Sequence, residues 1–365
     1  MRHSISIQDI AREAGVSHTT VSRALHDSPL ISQEVREHIK KLADDMGYIP
    51  NAVAQSLRGQ RTNTVGLVVT TISDPFVGRV VHGIEEVAQQ YNLSIILSVS
   101  NNDPDREMAV MENFHRRRVD GIIVAAAQLT AQHEKRLVRI NVPTVLINHQ
   151  AEAQLEYLHS VSIDDYQGAY KVVDYLLQLG HRSIGFLGAG NRPRSNRVRM
   201  EGYRDALATV GIVPEESWIR IAPPEHRYHS EDVLDGQALL LDLIQTGVTA
   251  VFCYNDSIAA GAVLACHSLG IAVPEQLSIV GFDDNELAQY VDPPLTTVHQ
   301  PMVRLGRTAM EMLLDLMAER SVQDHVLSLD LVLRGSSGRP PTEPVKERLQ
   351  VSNIIRPRYL FVPPS

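Results

Sequence analysis

Two cysteines in 365 residues set the first limit. Cys253 and Cys266 lie in apolar surroundings at a spacing that matches no metal motif, so they read as reduced core thiols rather than as a disulfide framework. Long apolar runs are missing as well. No stretch of about 18 apolar residues occurs, which excludes a membrane-spanning helix. The chain opens Met-Arg-His-Ser and passes into a polar amphipathic segment instead of the apolar segment of an export signal, so a cytoplasmic location is expected. Catalytic signatures are also lacking. There is no Walker loop, no zinc-spaced His/Cys cluster and no G-x-S-x-G elbow, and the fifteen histidines are scattered without helical pairing. Gly188-Ala-Gly190-Asn-Arg-Pro193 begins like a dinucleotide fingerprint, but Pro193 stands where the third glycine should be. Neither an enzyme, a cofactor nor a metal is expected.

What is present divides unevenly. The length exceeds one compact core and suggests two or three domains. Residues 1–61 carry eight Lys/Arg and seven acids, a balance of +1, whereas the remainder carries 26 basic and 36 acidic residues, a balance of −10. An acidic body repels phosphate, so if the weakly basic head binds DNA it must do so by groove contacts and by pairing with a second head.

The head reads as a helix-turn-helix. Ser6 can cap a first helix, with Asp9 completing a capping box, and Ile7, Ile10, Ala11 and Ala14 share a face. Gly15 supplies the turn. Ser17 can cap a second helix over residues 18–25 that buries Val21, Ala24 and Leu25 and exposes His18, Thr19, Ser22 and Arg23. A third helix is expected to start at Ser32, to carry Glu34 in its first turn and Lys40-Lys41 near its end, and to stop at Gly47. His18, Thr19 and Arg23 are then placed to meet base edges in a major groove. A short segment follows, with Pro50 at its start and Gly59 at its end.

Three pieces together, "IQDIAREAGVSHTTVSRAL" from Ile7, Met46-Gly-Tyr-Ile-Pro-Asn51 and "AQSLRG" at 54–59, resemble the lactose-repressor/galactose-repressor (LacI/GalR) family of bacterial transcription regulators. The resemblance implies a homodimer on double-stranded operator DNA and a DNA-binding set of Ser17, His18, Thr19, Ser22, Arg23, Asn51, Ala54, Leu57 and Arg58, with His18 and Thr19 as the variable specificity positions. It also implies that Ala52–Arg58 pairs with its dimer mate over the minor groove, with Leu57 as an apolar wedge at a central base step. About two turns is too short for a stable isolated helix, so this segment is expected to fold only on DNA.

From Thr64 the texture becomes βαβ. Buried strands are expected at 64–70, 93–99, 120–126 and 143–147, then in a second series at 160–163, 183–188, 218–222, 249–254 and 277–282, with helices between them. The single tryptophan, Trp218, is expected to begin a strand and pack internally. The fold class is therefore a small all-α helix-turn-helix head plus an α/β two-lobed core with parallel sheets, periplasmic-binding-protein-like by resemblance. The expected division is a DNA-binding domain over 1–49, a hinge over 50–61 and a core over 62–340. Lobe 1 takes 62–161 and 296–321, lobe 2 takes 163–291 and 328–340, and residues 341–365 form an extension of unassigned role.

Ligands of open α/β lobes sit at the carboxyl ends of the strands. The polar and aromatic groups found there are Phe76, Asn148, Arg199, Asn255 and Asp283, and their mixture suits a hydroxylated small molecule. By resemblance, Arg199, Asn255 and Asp283 are effector-binding positions, and Tyr228 is the candidate aromatic for stacking on a sugar. Asp256 and Asp284 can alternatively be helix caps, and Arg199 a surface ion-pair partner. The expected partner is a small polar effector, a sugar or sugar derivative. The competing reading is a DNA-binding adaptor without any ligand.

Overall fold

In the computed structural model, the described residues are 5–48, 61–125, 131–149, 158–223 and 231–342. The chain divides into two units, residues 1–62 and 63–365. The first unit holds helices α1 (Ile7–Glu13), α2 (His18–Leu25) and α3 (Gln33–Asp45). Ser6 and Asp9 form the reciprocal capping box expected of them. Ile10, Ala11, Val21, Ala24, Ile39 and Ala43 make a small core, with Ile7, Ala14 and Leu25 packed against it. Gly15 and Gly47 both take positive φ, 64° and 70°, where a side chain would be strained.

Two details of this head differ from the sequence reading. Ser22 is buried at 6% exposure. At 100° per residue it falls roughly 60° from Leu25, on the rim of the buried arc, and a small side chain there is covered by its neighbours. The third helix stops just before Gly47, as expected, but its charges are placed differently. Its last turn contains no basic residue, so Lys40 lies mid-helix, where its ammonium bonds both Asp27 carboxylate oxygens at 2.7 Å. Ser32 occupies the N-cap without a side-chain cap bond.

The second unit contains two parallel sheets. The six-stranded sheet has the order β11-β5-β4-β3-β1-β2, where β1 is Thr64–Val69, β2 Ser94–Val99, β3 Gly121–Ala125, β4 Thr144–Ile147, β5 His159–Ile163 and β11 His325–Leu327. The four-stranded sheet has the order β7-β6-β8-β9, with β6 Ile184–Gly188, β7 Ile219–Ile221, β8 Ala250–Cys253 and β9 Ser278–Val280. Strands β1, β3, β4, β6, β8 and β9 are apolar because both faces are covered, whereas β2 lies at an edge and is only half-buried. Helices α4 (Pro75–Gln90), α5 (Pro104–Arg116) and α6 (Ala131–Ile140) link the first sheet. The polar sequence of α6 buries few side chains, Leu137 and Glu134 among them.

The chain leaves the first sheet after β5 and enters α7 (Asp165–Leu179), α8 (Pro193–Ala208), α9 (Asp232–Leu243) and α10 (Asp256–Leu269) around the second. After the short α11 (Leu287–Tyr290) come β10 (Thr297–His299) and α12 (Met302–Met317). α12 packs on α4, and β11 then joins β5 in the first sheet. Finally β12 (Asp330–Val332) returns to pair antiparallel with β10. Both sheets reverse strand order beside their first strand, between β1 and β3 and between β6 and β8. Such switch points open a crevice at the carboxyl strand ends.

Candidate functional site

On the head, α2 carries the groups available to a partner. The Ser17 hydroxyl accepts the Thr20 N–H at 3.1 Å, which fixes the helix start. His18, Thr19 and Arg23 are exposed. Ser22 faces inward, and its carbonyl is bound by the His26 ring at 2.6 Å.

In the core, a cleft is lined from both sheets. Loops after β1 and β2 contribute Thr71, Asp74, Phe76 and Asn102, and the turn after β4 contributes Asn148. The second sheet contributes Arg192 and Arg199 beyond β6, Tyr254 and Asn255 after β8, and Asp283 after β9. Asp232, from the start of α9, and Gln300 line it too, as do Asn191 and Ser195.

Arg199 is the most enclosed cation, at 3% exposure. Its Nε donates to Asp165 Oδ1 at 2.8 Å, its Nη1 donates to the Tyr254 carbonyl, and its guanidinium carbon lies 3.6 Å from the Phe282 ring centre and 4.3 Å from that of Tyr254. Burial works against its charge, but Asp165, Tyr254 and Asp283 more than offset this, so its pKa rises. Asp283 is held at φ 129°, in a region that L-residues rarely adopt. Its N–H donates to the Val298 carbonyl at 2.9 Å and its carbonyl accepts the Gln300 N–H at 3.1 Å. This pairing stabilises the strained conformation and places the carboxylate in the cleft. Burial, with Asp256 adding to it and Arg199 opposing, pushes the Asp283 carboxyl well above its ordinary value. Gln300 Nε2 donates to Asp283 Oδ1 at 2.6 Å, and Asn255 Nδ2 donates to Asp232 Oδ2 at the same distance.

Residues 6–51 match the bacterial regulatory proteins of the lacI family, and residues 173–337 match the periplasmic binding protein-like domain. The transcriptional regulator GalS of Salmonella typhimurium is 37% identical over 313 residues, covering 85% of this chain and 89% of GalS. A crystal structure of the lac repressor dimer bound to operator and the anti-inducer ONPF superposes with a TM-score of 0.82 at 27% identity, covering 92% of this chain and all of that one. A complex of the transcriptional regulator CelR with cellobiose gives 0.68 at 25% identity, over 91% of this chain and all of CelR.

The chain belongs to the LacI family. It is a DNA-binding transcription regulator with a helix-turn-helix head and a two-lobed, periplasmic-binding-like core. Within that frame, Phe76, Asn148, Arg199, Asn255 and Asp283 all line one cleft, as a set drawn from both lobes. Arg199 is interior, not a surface partner. Asn255, not Asp256, is the N-cap of α10, its Oδ1 accepting the Ile258 N–H at 2.8 Å. Asp284 caps no helix either and binds Arg334 Nη2 at 2.5 Å and His299 Nδ1 at 2.8 Å. Tyr228, Asn51, Ala54, Leu57 and Arg58 lie outside the described residues, as does the chain beyond residue 342. Sequence reasoning missed Asp74, Asn102, Arg192, Asp232, Tyr254 and Gln300 as cleft residues. Tyr254 immediately follows β8 and Asp74 lies in the loop after β1 beside Phe76, so the same rule reaches both. Asp232 and Gln300 carry no local signal, because only the tertiary fold brings them in.

Proposed function

We propose that this regulator acts as a homodimer on double-stranded operator DNA and that a small carbohydrate or carbohydrate derivative in the cleft controls its operator affinity. The observation that carries this reading is the convergence of Arg199, Asp283, Asn255 and Asp232 from one lobe upon Phe76, Asp74 and Asn148 from the other. A ligand held by both lobes favours one relative arrangement of them, and differential binding of that kind is what an effector requires. The operator-bound lac repressor dimer and the cellobiose complex of CelR are similar proteins doing each half of this task.

In this reading residues 1–49 form the DNA-binding domain and His18, Thr19 and Arg23 read base edges. Residues 50–61 form the hinge, where Asn51, Ala54, Leu57 and Arg58 meet the minor groove. The core over 62–340 binds effector and the dimer mate, lobe 1 comprising 62–161 and 296–321 and lobe 2 comprising 163–291 and 328–340. The protein works in the cytoplasm and catalyses no reaction. The test joins two measurements. A panel of sugars is screened for thermal stabilisation, since binding stabilises the folded state by mass action. Each hit is then added to an operator titration. A compound that stabilises the protein and shifts operator affinity supports the reading, whereas stabilising sugars without effect on the operator leave a DNA-binding adaptor.

A further inference from the structure

Gln300 brings an unanswered acceptor to the cleft. Among the described residues, five buried side-chain polar atoms have no hydrogen-bond partner, and Gln300 Oε1 is the one whose residue lines the cleft. The residue is only 5% exposed. An acceptor shut away from bulk water calls for a donor, because leaving it unpaired costs its full desolvation.

The rest of Gln300 is tied down. Its N–H donates to the Asp283 carbonyl at 3.1 Å, its carbonyl accepts the Met302 N–H at 2.8 Å, and Pro301 follows with its fixed φ. This backbone is the passage from β10 into α12, which packs on α4 of the first lobe. At the end of the side chain, Nε2 donates to Asp283 Oδ1 at 2.6 Å. Burial raises the Asp283 carboxyl well above its ordinary value, but that bond does not depend on its charge, because the unionised acid and the carboxylate both keep an oxygen that accepts. Nε2 is therefore committed within the protein, and Oε1 is the end left for a ligand.

Resting on the cleft's reading as a carbohydrate site, we infer that Gln300 is a specificity-determining residue whose Oε1 accepts a hydrogen bond from one hydroxyl of the effector, so that the cleft selects sugars presenting a donor at that ring position. A hydroxyl donates there and can still accept from a neighbour. An ether oxygen or a carbonyl at the same place only accepts and would set two acceptors face to face. A site that bonds a ligand hydroxyl rejects the analogue lacking it, since its own buried group is then left unpaired.

The experiment is calorimetry on the full-length protein with a panel of free aldoses and ketoses, followed, for each sugar that binds, by its single deoxy and deoxyfluoro derivatives. Fluorine keeps a polar substituent at the position but cannot donate. At one ring position both derivatives are expected to bind tenfold or more weakly than the parent sugar. Gln300→Met keeps the length of the side chain and removes the acceptor, and in that variant the loss at this position is expected to shrink below twofold while losses at other hydroxyls persist. Such a cycle isolates the pairwise contribution. Circular dichroism and urea unfolding check that the variant is folded. Losses that Gln300→Met leaves unchanged at every position overturn the assignment. A series in which every fluoro derivative binds the parent protein as tightly as its sugar overturns it without any variant, because no hydroxyl then acts as a donor. Both results leave the carbohydrate reading standing, whereas a panel in which no sugar binds overturns that reading and this inference with it.

Discussion

A guanidinium cannot shed its charge inside a protein, so burying Arg199 obliges the fold to surround it with partners. Those partners, Asp165, the Tyr254 carbonyl and the Phe282 ring, belong to the frame of the second lobe, which makes Arg199 a structural residue that also faces the cleft. Arg199→Ala strands the Asp165 carboxylate, only 6% exposed at its side chain. Breaking a buried pair from one side costs about 3–5 kcal/mol, so the variant is expected to show a lowered urea midpoint as well as a lost effector response. A variant as stable as the parent would deny the pair its structural part. Asp256 gives a second prediction. It accepts from the Thr297 hydroxyl at 2.5 Å and the Asn285 N–H at 2.9 Å. Burial raises its pKa from 3.8 to about 7 despite those bonds, with Asp284 adding to the rise and Arg334 opposing it. Between those values the folded chain keeps a proton that the unfolded chain releases. This contribution to stability is therefore complete below pH 3.8 and is lost as pH rises to about 7, at no more than about 1.4 kcal/mol per pH unit. Unfolding measured at several pH values between 4.5 and 8 is expected to show a decline that Asp256→Asn flattens. Parallel profiles for the two proteins would place the titration elsewhere.

At the scale of elements, close helix crossings carry much of the core's shape. α4 and α12 meet at reciprocal glycines: a Cβ on Gly83 would lie 2.0 Å from the Val303 carbonyl oxygen, and one on Gly306 would lie 2.1 Å from that of Val80. The second lobe repeats the device, with Gly236 against the Ile258 carbonyl at 2.1 Å and Gly261 against that of Val233 at 2.0 Å. Gly83→Ala forces backbone apart and is expected to cost about 1–3 kcal/mol or more, as overpacking does. Gly78, on the same helix, has nothing within 4 Å of its missing Cβ. Gly78→Ala is expected to be neutral or to add up to about 1 kcal/mol through helix propensity. Chemical denaturation of the two variants decides it, and equal effects would refute the crossing argument. These elements differ in how far the sequence announced them. Apolar runs such as Val65–Val69 and the capping signals of Ser6 and Ser17 act over a few residues, so strands and head helices were legible within a residue or two. The strand-end rule placed Phe76, Asn148, Asn255 and Asp283 in one cleft for the same reason. Ser22 was misjudged because its burial depends on neighbouring side chains closing over the rim of the helix. Asp232 and Gln300 were invisible because they meet Asn255 and Asp283 only after residues 23 and 17 apart fold together.

Across the whole core, the bonds that span the mouth of the cleft decide how the lobes are held. Arg192, at the start of α8 in the second lobe, donates to Asn102 and faces Asp74 in the first. Arg194 adds a longer bond, 3.4 Å, to the His149 carbonyl. The Arg192 side chain is only 13% exposed, so its bond is partly shielded from water. A hydrogen bond to a charged group contributes about 1.5–3 kcal/mol, which corresponds to roughly 10- to 150-fold in the equilibrium between bridged and separated lobes. Arg192→Ala removes that bias without touching the head. Because an effector gripped by both lobes binds the bridged form, its apparent affinity falls by the fraction of protein no longer in that form. Linkage then demands a matching change at the operator: whatever factor the effector applies to DNA affinity, DNA applies to effector affinity. The expected outcome is faster hydrogen exchange around Asn102 and His149, weaker effector binding, and an operator affinity for the effector-free variant that moves toward the value of the lobe-separated state. If exchange quickens while operator affinity stays at the parental value, lobe separation and DNA binding are uncoupled in this protein, and control through the cleft fails as its mechanism.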